Sequence, residues 1–214
     1  MRMDQMRVDY RRGTLLEERL GDAPIVAARA WLDEAAEAGA PEPNAMALAS
    51  SDADGRPSVR MLLCKGLDER GLAFYTNLAS RKAVELQRVP FAAATFWWPG
   101  LERQLRVEGP VGPVASDEAD AYFAQRPRGS RLGAWASPQS RPVADRAELE
   151  GRLAETRDRF GPDGPVPRPD FWGGFRIVPD RIEFWQGRED RLHDRVRFER
   201  ATPEGAWRRV RLGP

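Results

Sequence analysis

Apolar residues keep a helical spacing over one segment near the N-terminus and then break into short runs separated by Asp, Gly and Pro. Asp22 offers an N-cap and Pro24 suits a first helical turn. The run Ile25, Val26, Ala27, Ala28, Arg29, Ala30, Trp31, Leu32 therefore predicts a helix that ends near Gly39. Beyond Pro41 and Pro43, apolar runs at 45–50, 59–67 and 72–76 are divided by turn sequences at 52–55 and 68–71, the texture of a β meander. A short helix is predicted over 80–89, then strands over 91–98 and 102–107 joined by Pro99 and Gly100. Ser116, Asp117 and Glu118 open a helix reaching Arg126, with Arg128 and Ser130 in the loop beyond, and a second amphipathic helix is predicted over 144–160. Residues 161–169 carry four prolines and two glycines and read as an extended connector. Closing strands are predicted over 175–178, 181–185, 195–200 and 207–212.

Residues 1–20 are polar and Arg-rich without a clear period, so they are expected to form an arm that is mobile or depends on a partner. Residues 21–214 are expected to form a single domain. The chain has no strand, Gly-rich loop and helix in succession, which argues against nucleotide folds of the Rossmann or P-loop kind. A mainly β, α+β architecture fits better: an antiparallel barrel with flanking helices, which binds small ligands at its mouth or at a subunit seam.

Composition narrows the chemistry. The 214 residues carry 34 Lys+Arg against 33 Asp+Glu, a formal charge of +1, so any anion site must be compact rather than spread over the molecule. Only Lys65 and Lys82 are lysines, leaving 32 arginines, an excess that coding bias explains for the surface. One cysteine and one histidine exclude an intrachain disulfide and the usual Cys/His zinc set, so no metal is expected. No apolar run approaches the ~20 residues of a membrane span, and residues 1–20 lack a signal-type apolar core. A cytoplasmic location is the expectation.

Three clusters can carry chemistry. Arg60 and Lys65 flank a strand, and Tyr75, Thr76, Ser80, Arg81 and Lys82 follow at a helix start, a set able to surround a phosphate with cations, hydroxyls and amides. An Arg81–Lys82 pair is equally an ordinary solvated pair. Tyr122 and Arg126 lie four apart, so a phenol and a guanidinium share a helix face, as surface pairs also do. Arg191, His193 and Arg195 alternate, so in an extended strand the only imidazole lies between two guanidiniums and stays neutral, unless the segment is simply a polar strand edge. Trp185 precedes this segment and can pack on a planar ligand. Cys64 sits in an apolar run and reads as a packing residue.

Taken in order, these blocks resemble the pyridoxamine/pyridoxine 5'-phosphate oxidases along nearly the whole chain from about Arg7. The resemblance is carried by residues 60–65, 74–77, 80–82, 101–104, 122–128, 133–135, 139–140, 171–176 and 182–195. It implies an FMN-binding split β-barrel that works as a homodimer with two flavin sites at the subunit interface. It further implies that FMN is held by Arg60, Met61, Leu62, Leu63, Cys64, Lys65, Tyr75, Thr76, Arg81, Lys82, Gln104, Gln139, Ser140, Trp185 and Arg195. The substrate phosphate falls to Lys65, Tyr122, Arg126 and Ser130. Arg191, Leu192 and His193 would lie at the pyridine ring, with Arg191 and His193 catalytic, and Arg7, Val8, Asp9 and Tyr10 would cover the substrate. The implied reaction is oxidation of pyridoxamine or pyridoxine 5'-phosphate by oxygen to pyridoxal 5'-phosphate, with release of hydrogen peroxide. A relative acting on a phenazine ring, or a split-barrel protein that only stores flavin or haem, are the competing readings.

Overall fold

Strand β6 (Arg103–Pro113) is the spine of the barrel, and the computed structural model describes it and its surroundings through Arg2, Met3, Met6 and residues 9–214. Ahead of it come α1 (Pro24–Glu37), β1 (Ala45–Ser51), β2 (Pro57–Leu63), β3 (Gly66–Asp68), β4 (Gly71–Asn77), α2 (Arg81–Arg88) and β5 (Phe91–Trp98). After it come α3 (Ser116–Gln125), α4 (Arg128–Ala136), α5 (Arg146–Phe160), β7 (Trp172–Ile177), β8 (Arg181–Gln186), β9 (Asp194–Glu199) and β10 (Arg208–Arg211). The main path runs β10-β9-β8-β6-β5-β1-β2, with β3, β4 and β7 joined to it through β6, and every pairing is antiparallel. This is the expected split barrel.

Strand β6 runs six residues past the predicted end at Val107. Its first half pairs with β8 as far as Glu108, and Val111 onward pairs with β7. Gly109 is the corner: a Cβ there would lie 2.1 Å from the Val178 carbonyl oxygen, so only glycine allows the two strands to meet. A Gly-Pro pair that reads as a strand end is here a change of partner. The same happens at 59–67, predicted as one strand. There the backbone amide of Cys64 donates to Asn44 O and that of Lys65 to Ala73 O, so the chain leaves β1 for β4 and Lys65 stands at the switch.

Inward-facing Met46, Leu48, Phe74, Phe96, Leu105, Ile182, Phe184 and Phe198 fill the barrel, each essentially inaccessible to solvent. Helix α1 closes one end, setting Trp31 edge-on to Phe184 at 5.0 Å. It starts at Pro24 behind Ala23, which makes no side-chain cap, so the expected Asp22 cap is not used. Helix α5 is capped as its sequence allows: Asp145 Oδ1 accepts from the Glu148 amide, and Glu148 answers by accepting from Ala144. The predicted arm is packed over its second half. Leu15 and Leu20 are buried in the barrel core, the Arg12 amide donates to Glu102, and that of Leu15 donates to Asp194.

Two further corrections bear on the site. Arg128 and Ser130, expected in a loop, belong to α4; Gly129 and Gly133 weaken its helical signal, and its contacts with α5 supply what propensity does not. Arg128 turns away to donate to Gly161 O and Gly164 O at the end of α5. The run from Arg191 to Arg195 is not one strand. Asp190 and Arg191 hold left-handed φ values of 55° and 62° in a tight turn, and β9 begins only at Asp194.

Candidate active site

Two adjoining clefts, of about 450 and 460 Å³, share Tyr75, Thr76 and Gln139 as a common wall. The shared wall is built by β4 and the turn after α4. Gln139 Oε1 accepts from Thr76 Oγ1 at 3.0 Å and from the Asn77 amide at 3.1 Å, which locks the turn onto the strand. Beside it Ser140 adopts a left-handed φ of 67°.

The first cleft gathers Lys65, Tyr122, Arg126 and Ser130, with Leu63 and Trp172. Helix α3 carries Tyr122, its C-terminal cap carries Arg126, and the overlooked helix α4 carries Ser130. Tyr75 stacks on Tyr122 at 4.1 Å and 15°, and on Trp172 at 5.6 Å and 5°. The Arg126 guanidinium lies 4.8 Å from the Trp172 ring centre, and its Nη1 is buried without a hydrogen-bond partner. A buried, unpaired donor on a cation is costly unless an anion is meant to meet it. Burial also lowers the Arg126 pKa, the mark of a cation short of its counter-charge, and raises that of Tyr122, which stays a neutral phenol.

The second cleft is lined by Arg60, Met61, Leu62, Arg81, Lys82 and Ser140. Its cations are held from behind by Glu85, a buried carboxylate that no local motif marked except its i,i+4 spacing from Arg81. Glu85 accepts from Ser50 and Ser58 at 2.6 Å, from Arg81 Nε at 2.7 Å and from Arg60 Nη2 at 3.3 Å. Burial pushes its pKa up, but these donors and the Arg60 charge outweigh it and hold the acid down at about 2. Lys82 Nζ, itself buried, donates to Thr76 Oγ1 at 3.0 Å, and burial followed by the nearby Arg60 lowers its pKa. A second support was equally invisible in sequence. Tyr75 donates to Glu118 at 3.3 Å, and Glu118 is paired with buried Arg176, which also reaches Asp68 at 3.2 Å. Burial and then the Glu118 charge raise the Tyr75 pKa to about 12, so it stays a neutral phenol.

A third group lies elsewhere on the sheet. Trp97, Gln104, Trp185 and Arg195 sit side by side across β5, β6, β8 and β9. His193 packs on Trp185 at 4.6 Å, and Tyr10 meets Trp185, Trp97 and His193 with its ring. Gly187 admits this contact, since a Cβ there would fall 2.6 Å from the Tyr10 ring. Arg195 is committed to Glu183 through Nε at 2.8 Å and Nη2 at 3.1 Å, and that pairing raises its pKa. Gln104 accepts from Arg106 at 2.7 Å, and Leu192 is exposed. Neither cleft is lined by Gln104, Trp185, Arg191, Leu192, His193 or Arg195. Four strand steps separate β2 from β8, roughly 19 Å along the sheet. Cys64 lines neither cleft: its thiol is buried, donates to Gly66 O at 3.4 Å, and is pushed up to about 11 by burial. Asp9 forms an exposed pair with Arg11, while Arg7 and Val8 fall outside the described residues.

Residues 32–160 match the family model described as pyridoxamine 5'-phosphate oxidase, and residues 172–214 match the pyridoxine 5'-phosphate oxidase C-terminal dimerisation region. The chain belongs to the pyridoxamine 5'-phosphate oxidase family. A pyridoxine/pyridoxamine 5'-phosphate oxidase of Rubrobacter xylanophilus is 56% identical over 210 residues, covering 98% of this chain and 95% of its own. That of Salinibacter ruber is 48% identical over 213 residues, 100% and 99% of the two chains. Among solved structures, PhzG from Burkholderia lata, in complex with tetrahydrophenazine-1-carboxylic acid, is 32% identical with a TM-score of 0.86, covering 94% of this chain and 98% of its own. Trp185, Arg191, His193 and Arg195 fall inside the region matched to the dimerisation model, as does Trp172 of the first cleft. Among the described residues no helix is long and apolar enough to cross a membrane, and no cluster of His, Cys, Asp and Glu could hold a metal ion.

Proposed function

We propose that this protein oxidises pyridoxamine 5'-phosphate and pyridoxine 5'-phosphate to pyridoxal 5'-phosphate, using FMN and oxygen and releasing hydrogen peroxide, as a cytoplasmic homodimer. The observation that carries the reading is the pair of cationic clefts sharing one wall, one of them with the unpartnered Arg126 Nη1. Two phosphate groups held close together require fixed cations on both sides of a common partition, and this arrangement supplies them.

The donors suit FMN. Arg60, Arg81 and Lys82 of the second cleft are cations that meet its phosphate, Ser140 and Thr76 add hydroxyls, and Met61, Leu62, Leu63, Lys65, Tyr75 and Gln139 line the way to the first cleft. Gln104, Trp185 and Arg195 complete the flavin site from a second copy of the chain. Exposed Val59 and Met61 on β2 and half-exposed Trp97 on β5 give that copy an apolar face to cover. When bound, FMN supplies the hydride acceptor for substrate C4' and the route to oxygen. The chain's own work is placement. Arg126, Tyr122, Ser130 and Lys65 bind the substrate phosphate, the stacked Tyr75, Tyr122 and Trp172 form an apolar side to the cleft, and Arg191 and His193 of the second copy sit over the ring. Tyr10, already against His193, covers the site.

Likeness to the phenazine-bound structure supports a second reading, oxidation of a different aromatic ring. Purified protein should show a flavin spectrum and form pyridoxal 5'-phosphate and peroxide from pyridoxine 5'-phosphate in air. A flavin spectrum without that product, but with oxidation of tetrahydrophenazine-1-carboxylic acid, would replace the first reading by the second.

A further inference from the structure

The loop that carries His193 fixes which of its two ring nitrogens holds a proton. The backbone N–H of Arg188 donates to His193 Nδ1 at 3.1 Å, across the turn that Asp190 and Arg191 make with their left-handed backbones. An Nδ1 that accepts a hydrogen bond carries no proton, so the neutral imidazole bears its N–H at Nε2. Forming the imidazolium would require a second proton at Nδ1, facing the Arg188 N–H head-on.

The groups around the ring give no support to a cation. Trp185 lies against it, Tyr10 meets it at 5.6 Å, and the neighbouring charge that acts on it is that of Arg191. Of the acids close in sequence, Asp190 sits in the turn but is not among the charges acting on the ring, and the other three are committed elsewhere. Asp194 accepts from Arg188, Arg211 and the Leu15 amide, Glu189 pairs with Arg11, and Glu183 pairs with Arg195. Burial, with Arg191 adding to it, lowers the His193 pKa below its ordinary 6.5. Among the described residues no hydrogen bond engages Nε2, which leaves that N–H for a ligand.

We propose that His193 acts as a fixed hydrogen-bond donor through Nε2–H, held in that tautomer by the Arg188 amide, and takes up no proton during turnover. The proposal rests on the reading that His193 of one copy faces the substrate of the other. It narrows the role: the imidazole offers its N–H to a lone pair on the pyridine ring or its substituents and does not serve as the base.

His193 is the only histidine among the 214 residues, so FMN-loaded protein labelled with 15N-histidine reports a single imidazole. We expect a pyridine-type Nδ1 and a pyrrole-type Nε2 at neutral pH, with any titration midpoint below the ordinary 6.5. A pyrrole-type Nδ1, or titration with a midpoint at or above 6.5, overturns the proposal. A kinetic arm separates donor from base. His193→Ala should lower kcat about 100-fold, and His193→Gln, which keeps an N–H near the same place but no basic nitrogen, should recover at least about 10-fold of that loss. Equal loss in both variants means that the base is required and the donor role is wrong. Parent protein that fails to oxidise either B6 phosphate would sink the functional reading, while the tautomer would still be settled by the spectrum.

Discussion

At the scale of single residues, the site depends on carboxylates that never touch a ligand. Glu85 is the clearest case, because one buried acid restrains Arg60 and Arg81 and is itself held down at about 2 from an ordinary 4.5. A carboxyl depressed by folding stabilises the native state above its unfolded pKa and loses that contribution as pH falls through the folded value. For Glu85 the window therefore runs from about 4.5 down to about 2, and the contribution is of order 3 kcal/mol. Denaturant titrations should show Glu85→Gln less stable by about that amount near pH 7, with a flatter loss of stability in acid than the parent. An unchanged acid limb would mean that the carboxylate does not hold the arginines. Residues of rare type were the ones legible in the sequence, Lys65, Lys82 and His193 among them. Glu85, Glu118 and Arg176 were not, since acids and arginines are common here and, apart from Arg81 four positions before Glu85, the partners named lie 25 to 108 positions away.

Among the elements, β7 shows how backbone shape sets the site. Gly174 pairs with Tyr75 across β4 and β7, and a Cβ at that position would lie 2.6 Å from the Tyr75 ring and 2.7 Å from the Phe74 carbonyl oxygen. The backbone oxygen cannot swing aside as a side chain can. Gly174→Ala should therefore displace Tyr75 from its stack on Tyr122, costing about 1–3 kcal/mol of stability and raising KM for the phosphorylated substrate at least about 10-fold. A normal KM would show the stack to be dispensable. The helices with clean periodicity, α1 and α5, were legible to within a few residues. Helix α4 and the full reach of β6 were hidden because Gly129, Gly133 and Gly109 read as breaks, whereas tertiary contact turns them into a packed helix and a strand corner. The alternation Arg191, His193, Arg195 also misled: period two implies a strand only while the backbone stays extended, and two left-handed residues end it.

For the molecule as a whole, the chain shows two cationic clefts and, on the same sheet, an aromatic row that runs from two to five strand steps away from β2. Sequence order cannot reveal that separation, because the blocks lie as close together in a linear reading whether one copy or two assemble them. If two copies do, the outward apolar residues of β2 matter most. Val59→Asp, at a position 69% exposed in the single chain, should leave the barrel folded yet convert dimer to monomer in sedimentation and release FMN. Retention of both dimer and flavin would place the seam elsewhere. The burial of Cys64 bears on how long such an assembly lasts. A thiol held near pKa 11 has only about one part in ten thousand as thiolate at neutral pH, and the thiolate is the form that peroxide attacks. On the proposed reaction, which releases peroxide, the one cysteine is thereby shielded from the product. Mass spectrometry after prolonged turnover in air should find Cys64 unoxidised while activity persists, and a sulfinic acid there would show that the barrel opens often enough to expose it.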